Sequence, residues 1–105
     1  MVNDEVEFDL TNQEPLSLDE VSSTVLAKGL ALRDAHRPRL TAKGQTRMAV
    51  VTGSTGEEYS ILLGLDEKSV PVWTLCSCPW GQRHMSGRVG CSHQVAALME
   101  YNQST

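Results

Sequence analysis

The feature that most constrains this chain is a spacing of three thiols and one imidazole: Cys76-x-Cys78, twelve intervening residues, then Cys91-x-His93. Thiolate sulfur and imidazole nitrogen are the donors zinc takes in a tetrahedral shell, at about 2.0–2.3 Å. The four side chains must therefore converge. Residues two apart on a strand point to the same side, so Cys76 and Cys78 form one half of the site as a strand ends, and Pro79 stops the ladder. Residues two apart on a helix lie roughly 200° apart around its axis, too far to share a metal. Cys91 must then precede the last helix, with Ser92 as its N-cap and His93 in its first turn. The positive end of that helix faces a site that three thiolates leave anionic. The expected order is strand, chelating turn, loop, chelating turn, helix.

Other readings of the cysteines meet physical objections. Free cysteine is commonly buried as a small apolar residue, but that role leaves both spacings as coincidence. Three thiols are an odd number and cannot all pair within one chain. A disulfide between residues two apart is strained, and no thioredoxin-like βαβ pattern surrounds Cys76 and Cys78. Four protein ligands close the metal shell, whereas catalytic zinc keeps one position open, so the expectation is one structural Zn²⁺. His84, inside the loop, reads as a solvent-exposed histidine. Arg83 and Arg88 suit two roles equally well, phosphate contacts or hydrogen bonds to the anionic sulfurs. Trp80 is expected to pack over the site.

The residues Cys76-Ser-Cys78-Pro79-Trp80, followed by Gly90-Cys91-Ser-His93-Gln-Val-Ala-Ala-Leu98, resemble the SWIM-type zinc finger. That family's pattern is CxC, a variable loop, CxH and an apolar helix. The run Tyr59-Ser-Ile-Leu-Leu is similar to the family's hairpin strand, in which a tyrosine begins an apolar stretch. The resemblance covers roughly residues 46–100. One departure is Ser92, where many relatives carry lysine before the histidine. The resemblance implies a single structural zinc and a role in binding DNA or protein.

The rest of the chain reads as one small α+β domain. Residues 1–16 read as an acidic flexible arm with few apolar residues, ending at Pro15. Residues 17–45 read as a helix and a basic connector. Ser17 and Glu20 form a capping box, and Leu18, Val21, Val25, Leu26, Leu30 and Leu32 supply an apolar stripe. Gly29 weakens this helix by about 1 kcal/mol relative to alanine, and Pro38 stops it. Residues 46–105 read as the zinc-binding domain. Strands are predicted over 46–52, 58–63 and 70–76, with a glycine-containing hairpin turn at 53–57 and a second turn at 64–69. Val95, Leu98, Met99 and Asn102 have the spacing of a short C-terminal helix. The expected fold is an N-terminal helix, a three-stranded antiparallel meander, a zinc-stapled loop and that helix.

Charge distribution bears on partners. Residues 1–27 hold seven acids and no base, whereas residues 28–47 hold six bases against Asp34 alone. Arg37, Arg39, Lys43 and Arg47 are the densest part of the basic run and the candidate nucleic-acid contacts. Against DNA or RNA stand the net charge of −4 and the aromatic content of 5%, which leaves few rings for stacking on bases. A protein-interaction adaptor fits equally well, and the two partner classes stand open together. No Ser-His-Asp set, phosphate loop or paired carboxylate is found, so neither an enzyme nor a small-molecule substrate is expected. The first 20 residues are acidic, unlike a signal peptide, and no run reaches the ~20 apolar residues of a membrane span. The expected location is cytoplasmic.

Overall fold

The computed structural model describes residues 14–84 and 87–104. A 3-10 turn at Leu18–Glu20 leads into helix α1 at Ser23–Ala35. Four strands follow, β1 (Arg39–Lys43), β2 (Thr46–Thr52), β3 (Glu58–Leu65) and β4 (Pro71–Cys76). A short helix, α2 (Pro79–Arg83), and a longer one, α3 (Ser92–Ser104), complete the chain. The strands form one antiparallel sheet in the order β1-β2-β3-β4. The fold is α+β as expected, with four strands where three were predicted.

The additional strand is β1, which occupies the stretch read as a basic connector. Its apolar signal is thin, because only Leu40 and Ala42 alternate with Arg39, Thr41 and Lys43. The signal that identifies it is the two-residue loop Gly44-Gln45. Lys43 pairs with Thr46 across that loop, and Gly44 alone takes a positive φ of 60°, as a type II′ hairpin requires. The other turns fall where predicted. Gly53 N–H donates to the Glu57 carbonyl at 2.7 Å, and Asp66 Oδ1 accepts from the Lys68 and Val70 amides at 2.8 and 2.9 Å.

The first helix begins later than its capping box suggests. Ser17 and Glu20 do form that box, with Ser17 N–H donating to Glu20 Oε2 at 3.0 Å. It caps only one 3-10 turn, and the chain is extended at Val21. The helix restarts at Ser22, whose hydroxyl accepts from the Val25 amide at 3.3 Å. The run Val21-Ser-Ser-Thr24 explains the break, since serine side chains compete for backbone amides and β-branched residues resist helix.

Helix α3 is the centre of the packing. Ala96, Ala97 and Tyr101 join Ala49, Val51, Ile61 and Leu63 in a cluster between helix and sheet. Val95 and Leu98 face the other way, where Leu16, Leu18, Val21, Val25 and Leu26 pack on them. α3 therefore lies between the sheet and α1, with Val95, Ala96 and Ala97 fully buried. It is longer than predicted, at 13 residues. Asn102 is exposed, and Tyr101 takes its place in the apolar stripe, donating its hydroxyl to the Ser69 carbonyl at 2.6 Å. Leu30, assigned to the stripe of α1, is 39% exposed.

The N-terminal side is tied down from residue 14 onward. Leu16 N–H donates to the Pro71 carbonyl at 2.9 Å, and Arg88 donates to the carbonyls of Glu14 and Pro15 at 2.9 and 3.1 Å. Arg88 also pairs with Glu20 at 2.6 Å. Of the arm predicted over 1–16, residues 1–13 lie outside those described, and these bonds hold residues 14–16 to the rest of the fold.

Gly29 is the point of closest approach between α1 and α3. A Cβ there would collide with the Val95 side chain and stand 3.0 Å from the Ser92 carbonyl oxygen. Its helix-weakening cost is thus the condition for the two helices to touch. Gly29→Ala should destabilise the protein by about 1–3 kcal/mol, the range for overpacking, despite alanine's better helix propensity. In a Val95→Ala background the penalty should shrink, which urea unfolding of the four variants of a double-mutant cycle measures.

Candidate metal centre

The two halves of the Cys/His pattern meet where β4 ends and α3 begins. Cys76 is the last residue of β4 and pairs with Ile61 of β3. Beyond it, Ser77 N–H donates to the Ser60 carbonyl at 3.0 Å and Ser77 Oγ accepts from the Ser60 amide at 2.9 Å. These bonds hold the turn to Cys78 against β3. Cys76, Cys78 and Cys91 are buried and unpaired by disulfides, and His93 is half-buried. One donor atom from each of Cys76, Cys78, Cys91 and His93 lies within 4.8 Å of all the others. A zinc tetrahedron with ~2.3 Å bonds to sulfur has edges of about 3.8 Å, so the cluster is sized for one such ion.

Both chelating turns use a cysteine as a helix N-cap. Cys78 has extended backbone angles, φ −68° and ψ 162°, and its Sγ accepts from the Gly81 amide at 3.2 Å. Pro79 does stop the ladder, and it also opens α2 at a first-turn position where proline is favoured. This short helix inside the presumed loop was not visible from the sequence. Gly81 allows it: a Cβ there would run into the backbone of Cys76. At the other half, the Cys91 carbonyl accepts from the Val95 amide at 3.1 Å, which is the first bond of α3. Cys91, rather than Ser92, is therefore the N-cap. Three residues on, Gln94 Oε1 accepts from the Cys91 amide at 3.2 Å and from the Gly90 amide at 2.9 Å. That is the returning arm of a capping box, with cysteine in place of serine.

The electrostatics favour the thiolate at Cys91 and oppose it at Cys76. The Cys78 amide donates to Cys76 Sγ at 3.5 Å, adding to the Gly81 bond to Cys78. With no metal, the hydrogen bond from the Cys76 thiol, reinforced by His93, pulls the Cys91 thiol down to about 4 against the opposing effect of burial. The same hydrogen bond, followed by burial, pushes Cys76 up.

His93 carries the clearest mark of a missing partner. Its Nδ1 is buried and accepts or donates no hydrogen bond, one of two such side-chain atoms among the described residues, the other being Thr74 Oγ1. Its Nε2 faces Gly53, where a Cβ would lie 3.4 Å away. Tyr59 covers the ring, with centroids 4.4 Å apart and planes tilted by 46°. The Tyr59 hydroxyl donates to Glu57 Oε1 at 2.6 Å, and that bond, more than burial or the nearby cysteines, raises its pKa. Nδ1 is thus left for a ligand within the cysteine cluster, so the residues fit a metal.

The neighbouring residues take other roles. His84 is outside the cluster and exposed; its ring stacks on Trp80, with centroids 4.3 Å apart and planes 15° from parallel. Trp80 packs over Gly90, where a Cβ would strike the indole, and remains 39% exposed at the edge of the chelating loop. Arg88 pins residues 14–20 and bonds the Val72 carbonyl at 3.2 Å. Arg83 is exposed at the end of α2.

The basic residues proposed for nucleic acid do not gather on one surface. Arg37 and Arg33 both bond the buried carboxylate of Glu100, at 2.9 and 3.0 Å. Arg39 pairs with Glu58 at 3.3 Å, and Arg47 donates to the carbonyls of Gly44 and Thr46 at 3.2 and 3.3 Å. Lys43 is exposed on β1. Register puts Arg39 and Lys43 on one face of the sheet and Arg47 on the other.

No family model, curated protein or solved structure matches this chain. No helix among the described residues is long and apolar enough to cross a membrane.

Replacing Cys76, Cys78, Cys91 or His93 by alanine should abolish stoichiometric metal, whereas His84→Ala should retain it. Metal analysis of each purified variant checks this. Full metal content in a Cys76→Ala, Cys78→Ala double variant would remove the site.

Proposed function

We propose that this chain is a SWIM-type zinc-finger module in which one Zn²⁺ is structural and the surface it organises binds a macromolecular partner. The observation that carries this reading is the meeting of CxC and CxH around a buried, unpartnered His93 Nδ1. Three thiolates and one imidazole are a closed zinc shell. With four ligands supplied by the protein, the metal has no open position for substrate, and the role is not enzymatic. The resemblance to the SWIM pattern rests on the order of ligands, the proline after the second, and the tyrosine strand that here covers His93.

Between partner classes, the side-chain placement favours protein over nucleic acid. Arg37, Arg39 and Arg47 have partners within the chain, and register divides Arg39 and Lys43 from Arg47 between the two faces of the sheet. A phosphate backbone rewards cations lying along one track, each neutralised phosphate adding about 0.9 to the slope of log affinity against log salt. The nucleic-acid reading keeps specific support in Arg37 and Arg39, whose side chains are each 69% exposed despite their ion pairs.

A pull-down from the native host with and without nuclease separates the two. A protein partner retained after nuclease is the expected result. If nucleic acid is bound instead, changing Arg37, Arg39, Lys43 and Arg47 to glutamine should flatten the salt slope by roughly three to four units with zinc content unchanged. Loss of the zinc by chelation should abolish either interaction and unfold residues 70–100, since structural zinc contributes on the order of 10 kcal/mol to small modules.

A further inference from the structure

Among the described residues, the sheet has one covered edge and one open edge. Residues of an antiparallel strand alternate between bonding one neighbour and the other, so the phase of the ladder fixes which backbone groups face outward. The Gly53 amide donates to the Glu57 carbonyl at 2.7 Å and the Leu65 amide to the Gln45 carbonyl at 2.9 Å, so the odd-numbered residues of β2 bond β3. Thr46, Met48 and Val50 then bond Lys43, Thr41 and Arg39 of β1. This leaves the N–H and C=O groups of Leu40 and Ala42 directed away from the sheet. At the opposite edge, the Pro71 carbonyl accepts from the Leu16 amide, the Val72 carbonyl from Arg88, and the Thr74 amide donates to the Gly87 carbonyl at 2.9 Å. No such bond reaches Leu40 or Ala42 among the described residues, and Ala42 is exposed.

We propose that the β1 edge takes an extended segment of a partner protein as an added strand, with acidic residues beside Arg39 and Lys43 and apolar ones beside Leu40 and Ala42. The inference rests on the protein-partner reading above and names its mode. Two N–H donors and two C=O acceptors alternate along this edge, a pattern that a peptide backbone matches in full. A phosphate backbone offers acceptors alone and would leave both carbonyls without donors. Register puts Arg39, Thr41 and Lys43 on one face of the strand and Leu40 and Ala42 on the other. Leu40 packs against the core cluster, so an apolar partner residue beside it extends that cluster.

Charge selects the strand. Residues 35–56 hold Arg37, Arg39, Lys43 and Arg47 and no acid. Lys43 and Arg47, near the Gly44-Gln45 loop, meet no carboxylate among the described residues. Arg39 gives only Nη2 to Glu58, and the two side chains stay 69% and 59% exposed. So exposed a pair is weak, and it leaves the guanidinium open to a second carboxylate. A second copy of this chain is the wrong strand. Antiparallel pairing of β1 with its own copy about Thr41 sets Arg39 opposite Lys43, and like charges directly opposite destabilise a pair. Cations on an edge strand deter pairing between copies, and the same cations admit an acidic strand.

The test uses the full zinc-loaded chain, isotope-labelled for NMR, and a capped peptide of alternating glutamate and valine as the probe. Binding should slow hydrogen exchange at the Leu40 and Ala42 amides and leave those of Arg39, Thr41 and Lys43 little changed. Ala42→Pro removes one open donor without breaking a bond between β1 and β2, since edge strands accept proline where the N–H faces solvent. It should abolish the effect with zinc content retained. Lys43→Glu, which leaves the backbone intact, should weaken peptide binding severalfold and favour a lysine–valine peptide. Slowed exchange elsewhere than β1, equal binding of the lysine–valine peptide by the unaltered chain, or slowing that grows with protein concentration alone would each overturn the proposal. So would a thymidine oligonucleotide that protects Leu40 and Ala42 where the peptide does not. The nuclease-treated pull-down separates this mode from the reading beneath it. A protein retained equally by the unaltered chain and Ala42→Pro keeps the protein-partner reading and overturns the edge; no protein retained by the unaltered chain overturns both.

Discussion

The structure depends on one junction, where the end of the last strand is held to the start of the last helix. Cys76 ends β4 and Cys91 caps α3, and their sulfurs lie within 4.8 Å of each other. Everything beyond β4 hangs from that point. Five residues of α2 cannot hold themselves as an isolated helix, because nucleation alone outweighs so few hydrogen bonds. They persist because Cys78 caps them and Gly81 lets them lie on Cys76. The direction in which α3 leaves the junction then determines whether its apolar residues land between the sheet and α1.

That helix performs three tasks along its length. Its first turn carries His93 and the capping contact of Gln94. Its middle is buried on two sides, by the sheet through Ala96 and Ala97 and by α1 through Val95 and Leu98. Small residues face the sheet, bringing the helix close, and Gly29 does the same from the side of α1. Its last turns bring Glu100 beneath Arg33 and Arg37 and Tyr101 onto the Ser69 carbonyl. Removing both arginines would take two cations from a buried carboxylate, a change that commonly costs several kcal/mol. The basic run that drew attention in the sequence is thus partly the counter-charge of the protein's own interior.

The Cys/His cluster was legible because its chemistry is written in residue types at fixed spacings, and the helix boundary followed from geometry alone. Two apart on a helix cannot chelate, so Cys91 had to stand outside α3, as it does. Its capping role was missed because cysteine is a rare cap, although Gln94 three residues on is the usual sign. β1 was missed for a different reason. Its alternation rests on one leucine and one alanine, and the two-residue Gly44-Gln45 loop was the stronger indication. Gly29 and Gly81 could not be read correctly from sequence, since each is required by a neighbour distant along the chain or across a turn. The ion pairs of Arg33, Arg37 and Arg88 are tertiary in the same sense: their partners lie 63 to 68 residues away.

The charge of the site completes the physical picture. Three thiolates around one Zn²⁺ would leave a net negative charge in a partly buried cluster, and no lysine or arginine donates to that cluster among the described residues. Backbone amides do this work instead: that of Cys78 to Cys76 Sγ, and that of Gly81 to Cys78 Sγ. The N-terminus of α3 adds its aligned peptide dipoles at Cys91, worth typically 0.3–1 kcal/mol per unit charge. This choice has a structural consequence. A cationic side chain can swing away, whereas an amide donor is fixed by the fold that creates it. The same local structure that holds the cysteines in place would therefore stabilise their charge, and a metal bound there would couple its loading to the folding of the two turns.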